Sequence, residues 1–239
     1  MTIAENVARV RESIERAARQ AGRDPSEITL CAATKMNSAE RIRQAIAAGI
    51  TVCGENRVQE LLEKFPQGAY AGAELHFIGH LQTNKVRQVV GRVALIQSVS
   101  SEALLRCIDR AAAKAGIVQD VLLEVNIGAE ASKSGFRAEE IPLIADRMFE
   151  FPSVRVRGLM AIPPVSEKIG DNRRFFTEMR NLFVDLKAKM DDNVSIDCLS
   201  MGMSGDYADA IAEGATMVRI GTAIFGARDY SVRTPQTFG

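Results

Sequence analysis

The sequence predicts a single (β/α)8 barrel, the TIM-barrel fold, preceded by one additional helix. Short apolar runs alternate with helical stretches throughout the 239 residues, eight β/α units can be counted, and no change in composition divides the chain. Alternation of this kind is typical of a parallel sheet joined by right-handed crossovers. Because such a barrel needs about 250 residues, we expect one domain over residues 1–239 rather than an open, doubly wound sheet.

The additional helix is predicted over residues 2–21. Val7, Val10 and Ile14 recur at spacings of three and four between Arg and Glu residues, so one apolar stripe runs along a charged rod. Gly22 ends this helix, since glycine is the usual residue at a helix C-terminus. The first strand of the barrel follows after a short turn.

The remaining predicted elements alternate between strand and helix. The predicted strands cover residues 28–35, 51–55, 74–79, 93–99, 120–127, 154–162, 195–201 and 216–221. The predicted helices cover residues 38–48, 55–64, 82–90, 101–115, 138–150, 171–190, 204–213 and a short segment from residue 222. The longest irregular stretch, 163–172, is interpreted as a rim loop of the barrel rather than a domain linker.

The composition argues against several classes of partner. Lys+Arg and Asp+Glu number 30 each, so no net charge attracts the chain to nucleic acid or to an anionic membrane. The four cysteines are isolated in the sequence, which disfavours a disulfide or zinc site and fits a reducing cytoplasm. No uncharged run reaches the roughly 18 residues of a membrane span, and the charged N-terminus is unlike a signal peptide. We expect a cytoplasmic protein that is monomeric, because no broad apolar patch is evident.

The segment 201–228 gives the clearest indication of a ligand site. It reads as a strand end, a glycine turn, a short helix, a second strand and a second glycine turn, with Ser204 at the first turn and Gly221 and Thr222 at the second. Small residues there let backbone N–H groups approach an anion, and a helix N-terminus adds a favourable dipole. Because the loops after the last two strands of such barrels commonly bind phosphate, we expect a phosphate site here.

Lys35 ends the first predicted strand and would therefore open onto the same mouth of the barrel. An amine becomes nucleophilic when burial or a nearby cation lowers its pKa from about 10.4. A surface lysine at a strand end is the alternative from position alone. A phosphate site that faces a lysine amine favours the functional interpretation, in which a phosphorylated aldehyde is held as an imine.

Arg219 lies within the last predicted strand, two residues before Gly221. A charge inside a barrel strand is costly unless it is paired. One interpretation is a core ion pair with Glu124 or Asp197. The other is a hydrogen bond to the ring nitrogen of pyridoxal phosphate, for which Arg is one of the two usual partners. An arginine there would leave the ring nitrogen unprotonated and the ring a poor electron sink.

The segment GENRVQE, residues 54–60, follows the second predicted strand and carries another candidate. Asn56 could hydrogen-bond a ligand from the rim of the barrel. Glu55, Arg57 and Glu60 are interpreted as residues that begin and solvate a helix. The segment therefore contributes one candidate ligand contact and three residues that we assign to the surface.

The two histidines and one loop lysine are weaker candidates. His76 falls within the third predicted strand and is interpreted as a hydrogen-bonded core histidine, whereas His80 lies at the mouth. Two histidines without partner cysteines do not make a metal site. Lys133, beyond the fifth strand, could be a second amine, an anion-binding residue or a solvated loop lysine.

Taken together, these stretches resemble the pyridoxal phosphate homeostasis protein family. The matching segments are the lysine at the first strand end, GENRVQE, HFIGHLQTNK, SKSG, RGLMAI and LSMGMSGDYADAIAEGATMVRIGTAIFGAR. They run in order through most of the chain, and the last one is long and specific. One departure is visible, because the run AATKMNS lacks the second lysine that the family often carries beside the first.

The resemblance implies a barrel like the N-terminal domain of alanine racemase that carries pyridoxal 5′-phosphate (PLP) as an imine on Lys35. It also implies which residues surround the cofactor: for the phosphate Ser204, Gly221 and Thr222, with Met201 packing nearby, and for the ring Arg219 and Asn56. It implies a carrier that binds PLP, keeps the concentration of the free, reactive aldehyde low, and can still release the bound PLP. PLP-accepting apo-enzymes are the candidate partners of such a carrier.

The leading alternative is a PLP-dependent amino-acid racemase of low activity. Two-base racemisation needs a second group opposite the lysine, which in the racemases is a tyrosine from a separate C-terminal domain. We expect no such domain after residue 239, and the tyrosines of the chain are Tyr70, Tyr207 and Tyr230. A Schiff-base aldolase would want a lysine in a late strand, and 154–162 has none. A pure interaction module explains neither the glycine turns nor the lysine.

Overall fold

The computed structural model describes residues 1–130, 133–164, 170–189 and 196–226 of the chain. Within these ranges eight parallel strands close into a barrel in chain order, and the first strand pairs with the last. The strands are β1 (Thr29–Ala33), β2 (Val52–Glu55), β3 (Glu74–Phe77), β4 (Leu95–Val99), β5 (Gln119–Val125), β6 (Val154–Ala161), β7 (Cys198–Ser200) and β8 (Met217–Ile220). The predicted (β/α)8 barrel is confirmed.

Helices surround the barrel, and one of them precedes it as predicted. They are α1 (Ile3–Gln20), α2 (Ala39–Ala47), α3 (Val58–Lys64), α4 (Glu102–Ala115), α5 (Ile141–Asp146), α6 (Arg173–Lys189), α7 (Tyr207–Ala212) and α8 (Thr222–Phe225). A capping box begins α1, since Thr2 Oγ1 accepts from the N–H of Glu5 while the Glu5 carboxylate accepts from the N–H of Thr2. Helix α1 packs on α2, α7 and α8 and thereby covers the seam where the barrel closes.

Two predicted helices differ from the structure. The helix predicted over 82–90 is a 3₁₀ helix, Thr83–Gln88, because the β-branched residues that follow and the glycine after them favour helix poorly. The helix predicted over 138–150 is broken into Ala138–Glu140, α5 and Met148–Glu150. The first of the two breaks lies before a proline, which cannot donate a hydrogen bond to the preceding turn.

A third helix begins later than predicted. The helix expected from residue 204 starts at Tyr207, because the side chain of Asp206 accepts a hydrogen bond from the N–H of Met203 at 2.7 Å and forms a turn instead. The end of the helix predicted to residue 190, the start of the strand predicted from 195, and residues 165–169 of the predicted rim loop lie outside the described residues.

The core has two parts that follow from the alternation of side chains along the strands. The larger cluster packs the outer faces of the strands against the helices. The smaller one fills the barrel interior and consists of Cys31, Val52, Ile78, Leu95, Leu122, Met160, Cys198 and Met217. All four cysteines are free, and burial raises the pKa of Cys53 and Cys198 to about 12, so their thiols serve as small apolar groups.

No helix in the described part of the chain is long and apolar enough to cross a membrane. Within the same ranges, no group of three or more His, Cys, Asp or Glu side chains is arranged to hold a metal ion.

Gly158 in β6 is expected to be irreplaceable by alanine. Its φ is +145°, and a Cβ would lie 1.9 Å from the carbonyl oxygen of Cys198 on β7. Gly158→Ala should therefore lower the free energy of unfolding by more than about 3 kcal/mol, measured by urea denaturation. Gly22→Ala is the control, since its φ is +69° with open space around the Cβ, and its cost should be about 1 kcal/mol. Equal losses for both variants would contradict this interpretation.

Candidate functional site

The loops after the first and last strands begin side by side at the carboxyl end of the barrel. β1 and β8 are paired, with Ala32 opposite Ile220. A Cβ on Gly221 would lie 3.2 Å from the carbonyl oxygen and 3.3 Å from the Cβ of Ala33. Lys35 is half-buried in the turn that follows β1. The two chain segments that the sequence analysis singled out therefore meet at one edge of the barrel.

Arg41 joins the loop that contains Lys35 to the end of α8. Its Nε donates to Asn37 Oδ1 at 3.1 Å, and its guanidinium also donates to the carbonyl oxygen of Phe225. Asn37 Nδ2 in turn donates to the carbonyl oxygen of Lys35 at 3.0 Å. Gly221 and Thr222, at the start of α8, are half-buried and exposed respectively. The N–H groups of a first helical turn have no partner within the helix and point out of its N-terminus.

The turn after β7 lies next to this region. The N–H of Arg219 donates to the carbonyl oxygen of Gly202 at 3.0 Å, which ties the loop to β8. Gly202 has φ +91° and would place a Cβ 2.6 Å from that of Ala210, so the loop passes close over α7. Ser204 is exposed in this turn. Met201 is fully buried, and it belongs to the larger core cluster between barrel and helices.

Arg219 points into the barrel interior, on the same side of β8 as Met217. Its side chain donates to Ser200 Oγ at 2.6 Å and to the carbonyl oxygen of Ala161 at 2.9 Å. Burial lowers the pKa of the Arg219 guanidinium and raises the pKa of the Glu124 carboxyl, whose charge attracts the guanidinium without a hydrogen bond between them.

The ion-pair interpretation of Arg219 therefore needs correction. Asp197 is bonded to Arg157 at the opposite end of the strands, and the partners of Arg219 are a hydroxyl and a carbonyl oxygen. These neutral acceptors bond two of the N–H groups of the guanidinium. No carboxylate of the described residues is hydrogen-bonded to it to balance its charge. A group that can accept a hydrogen bond from Arg219 at the mouth would consequently be well bound.

A chain of hydrogen bonds continues from Arg219 through the barrel. Ser200 Oγ donates to Gln97 Oε1 at 2.7 Å, Gln97 Nε2 contacts His76 Nδ1 at 3.0 Å, and His76 Nε2 contacts Glu74 Oε2 at 3.4 Å. With a proton on Nε2, every donor in this chain points away from Arg219. The prediction that His76 is a hydrogen-bonded core residue is confirmed, whereas Ser200 and Gln97 were not singled out from the sequence.

Glu55 is fully buried at the end of β2, so its interpretation as a surface residue is wrong. Its Oε2 accepts from Lys64 Nζ at 2.9 Å and from the hydroxyls of Thr34 and Tyr70, each at 3.1 Å. Its Oε1 accepts from the backbone N–H of Asn56 at 2.8 Å. The carboxylate is thus bonded on both oxygens, which is how a buried charge is tolerated.

Of the other two residues assigned to the surface, Glu60 is partly buried and Arg57 is exposed. Glu60 forms an ion pair with Lys64 at 2.6 Å, which corrects its interpretation as a solvated residue. Arg57 is exposed as predicted, with 67% of its side chain accessible, but it precedes α3, which begins at Val58 rather than at residue 55.

Asn56 carries an unsatisfied polar atom at the mouth. Its Oδ1 is buried and has no hydrogen-bond partner within the residues described here. The backbone of Asn56 is packed against Gly79, where a Cβ would lie 2.0 Å from the Asn56 carbonyl oxygen. Because buried polar atoms in proteins are nearly always bonded, this oxygen marks a place where a ligand group would fit.

The remaining candidates lie in loops at the same end of the barrel. His80 is exposed, and its Nδ1 lies 3.1 Å from Ser134 Oγ. Lys133 is ion-paired with Glu130 and donates to the carbonyl oxygen of Pro163 at 3.1 Å. Lys133 therefore links the loops after β5 and β6 rather than standing as a solvated lysine.

Comparison with known proteins assigns most of the chain to one family model. Residues 5–229 match the model described as alanine racemase, N-terminal domain. A pyridoxal phosphate homeostasis protein of Aquifex aeolicus is 44% identical over 230 residues, covering 96% of this chain and 100% of that protein. The protein of the same name from Escherichia coli K12 is 44% identical over 234 residues, covering 96% of this chain and 98% of that protein.

This chain is also similar to solved structures. PipY of Synechococcus elongatus PCC7942, solved with PLP bound, is 32% identical to this chain and superposes on it with a TM-score of 0.81. The superposition covers 94% of this chain and 100% of that chain. An alanine racemase from Clostridium difficile 630 has a TM-score of 0.67 at 14% identity, covering 95% of this chain and 58% of that chain. At that identity the likeness to the racemase extends to the fold alone.

The stability of the fold should depend on pH through His76. Burial lowers the pKa of this ring below its ordinary value of 6.5, so the unfolded chain takes up the proton first as the pH falls. The free energy of unfolding should therefore drop below about pH 6.5, by up to about 1.4 kcal/mol per pH unit. His76→Gln should flatten this slope in urea denaturation between pH 6.5 and 5.5, while His80→Gln, the exposed control, should not. Identical slopes in all three proteins would contradict the assignment.

Proposed function

We propose that this chain, which belongs to the pyridoxal phosphate homeostasis protein family and has the alanine racemase N-terminal domain, carries PLP as an imine on Lys35. The contact of Gly221 with Ala33 supports this most directly, because it brings the loop of Lys35 beside the loop after β8. The relative PipY, solved with PLP bound, supports the choice of cofactor. PLP supplies an aldehyde that bonds reversibly to an amine.

The phosphate would be held at the turns after β7 and β8. We assign Ser204, Gly221 and Thr222 to this role, since they are exposed or half-buried at two neighbouring loops that precede α7 and α8. Backbone N–H groups and hydroxyls at helix starts suit a phosphate dianion through both hydrogen bonding and the helix dipole. Met201 supports the first of these turns from the core below it.

The ring would lie between Arg219 and Asn56. Arg219 has acceptors at Ser200 and Ala161 that fix its direction within the barrel. A guanidinium stays protonated near neutral pH, so Arg219 would donate to the ring nitrogen of a bound PLP and would disfavour a proton on that nitrogen. The amide of Asn56, whose oxygen is buried without a partner among the described residues, would bond a polar substituent of the ring.

These residues favour a carrier over a catalyst. A ring nitrogen that only accepts a hydrogen bond withdraws little electron density, so the site binds the coenzyme without promoting carbanion chemistry. A racemase would also need a second base, yet the hydroxyl of Tyr70 donates to Glu55 at 3.1 Å and that of Tyr207 to Ser13 at 2.8 Å. Tyr230 lies outside the described residues. We propose a cytoplasmic PLP store that yields its cargo to apo-enzymes.

Replacing Lys35 tests the covalent attachment. Lys35→Ala should lose all PLP that borohydride traps on the protein, because the amine that forms the imine is gone. Its free energy of unfolding should lie within about 1 kcal/mol of the wild-type value, since a half-buried side chain at the rim contributes little to the core. Absorbance before and after reduction, followed by peptide mapping of the adduct, measures both the amount and the site.

Lys133→Ala is the matched control for this experiment, because Lys133 is a second lysine in a loop at the same end of the barrel. It should retain a reduced adduct on the peptide of Lys35. An adduct that persists in Lys35→Ala, or a wild type that traps no PLP, would overturn the proposed function. Steady turnover of an amino acid at about 1 per second or faster would favour the racemase instead.

Asn56→Ala should weaken PLP binding without lowering the stability of the PLP-free protein. Removing a buried oxygen that has no partner should leave the unfolding free energy of the PLP-free protein unchanged or slightly higher. PLP should bind about threefold to tenfold more weakly, the loss expected for one hydrogen bond. Thermal denaturation of the PLP-free protein and a PLP titration measure the two effects. A variant that loses stability and keeps its PLP affinity would contradict the assignment of Asn56 to the ring.

A further inference from the structure

The two peptide groups that flank Lys35 are both bonded to helix α3. The carbonyl oxygen of Thr34 accepts from Lys64 Nζ at 3.3 Å, and the N–H of Met36 donates to Glu60 Oε2 at 2.7 Å. Lys64 and Glu60 are themselves an ion pair at 2.6 Å, one turn apart on α3. A single pair of side chains therefore holds the backbone immediately before and immediately after Lys35.

The turn that they hold is one that the chain does not favour by itself. Met36 has φ +60°, in the left-handed region, where a residue with a side chain is disfavoured by about 1 kcal/mol or more. Met36 is 46% exposed, so core packing does not hold it in this conformation. The N–H of Asn37 closes the turn onto the carbonyl oxygen of Thr34 at 3.2 Å. The bond from the N–H of Met36 to Glu60 stabilises the left-handed residue itself from outside the turn.

Glu55 lies beneath the pair and extends the same cluster to the second candidate cofactor residue. Lys64 bonds Glu55 as well as Glu60, and its side chain is only 8% exposed. Glu55 also accepts from the N–H of Asn56 at 2.8 Å. Because these charges are withdrawn from water, their hydrogen bonds are strong and costly to break. One buried cluster thus fixes the backbone at Lys35 and at Asn56.

We propose that Glu60 and Lys64 are positioning residues for Lys35. Their ion pair sets the direction in which the amine leaves the rim of the barrel, and so governs how tightly PLP is retained. This inference rests on the proposed function of Lys35. Neither residue touches the mouth through its side chain in the contacts described above, so both act through the two peptide groups that flank the lysine.

The competing explanation is that the pair only docks α3 onto the barrel. Apolar contacts already do this, since Val58 and Leu61 of α3 are buried in the core. Glu60→Ala removes the acceptor of the Met36 N–H but leaves Lys64 paired with Glu55, so no buried charge is stranded. A docking role predicts a change in stability alone, whereas a positioning role predicts a change at Met36 and in PLP retention.

The test compares Glu60→Ala with Glu60→Gln and with Glu63→Ala, an exposed glutamate of the same helix. In the PLP-free protein, amide hydrogen exchange at Met36 should accelerate at least about tenfold in Glu60→Ala. In the loaded protein, PLP release to an excess of free amine, followed by absorbance, should accelerate about tenfold. Glu60→Gln keeps an oxygen acceptor and should remain within about threefold of wild type, and Glu63→Ala should match wild type.

Each outcome bears on one claim. Faster exchange at Met36 with unchanged PLP release would overturn the inference, and so would unchanged exchange in Glu60→Ala. If Glu60→Ala does not fold, Tyr70→Phe removes a single donor from Glu55 and should shift both readouts in the same direction, by about threefold; no shift would overturn the inference. A wild type that traps no PLP on Lys35 instead overturns the proposed function, and the exchange measurement does not depend on it.

Discussion

The pairing of β1 with β8 is the constraint on which the rest of the structure depends. It closes the sheet, so no strand is left with unpaired backbone groups at an edge. It also gives the interior a defined volume, into which Arg219 and Ser200 project. Helix α1 reinforces the closure from outside, where Asn6 Nδ2 donates to the carbonyl oxygen of Ile224 at 2.9 Å. The mouth exists as one site only because this seam is shut.

Two networks bond buried polar side chains to one another, one running from Arg219 through the barrel interior and one between β2 and α3. The chain from Arg219 to Glu74 and the cluster around Glu55 both bond their members at 2.6–3.4 Å. Removing one member of such a network lowers the free energy of unfolding, because the remaining polar atoms stay buried without partners. The oxygen of Asn56 departs from this rule at the mouth. A buried, unbonded oxygen in a rigid surround is suited to a prearranged ligand site.

Features that depend on local sequence could be predicted, and features that depend on distant neighbours could not. The eight strands, α1 and the glycine turns follow from periodicity and turn residues, which the sequence displays directly. The burial of Glu55 follows from Lys64 and Tyr70, which only the folded chain brings to it. The acceptors of Arg219 escaped prediction for a similar reason, since one of them is a backbone carbonyl that any residue supplies. Lys64 gave no signal, because nothing local distinguishes a buried lysine.

The closure of the barrel by its first and last strands also orders events during synthesis. β1 leaves the ribosome before the other seven strands of the barrel, and β8 leaves it after them. Pairing over so long a separation is slow, since the loop must close before contacts reward it. Until that pairing forms, the loop after β8 does not lie beside the loop that contains Lys35. The site proposed around Lys35 can therefore form only after β8 has been synthesised.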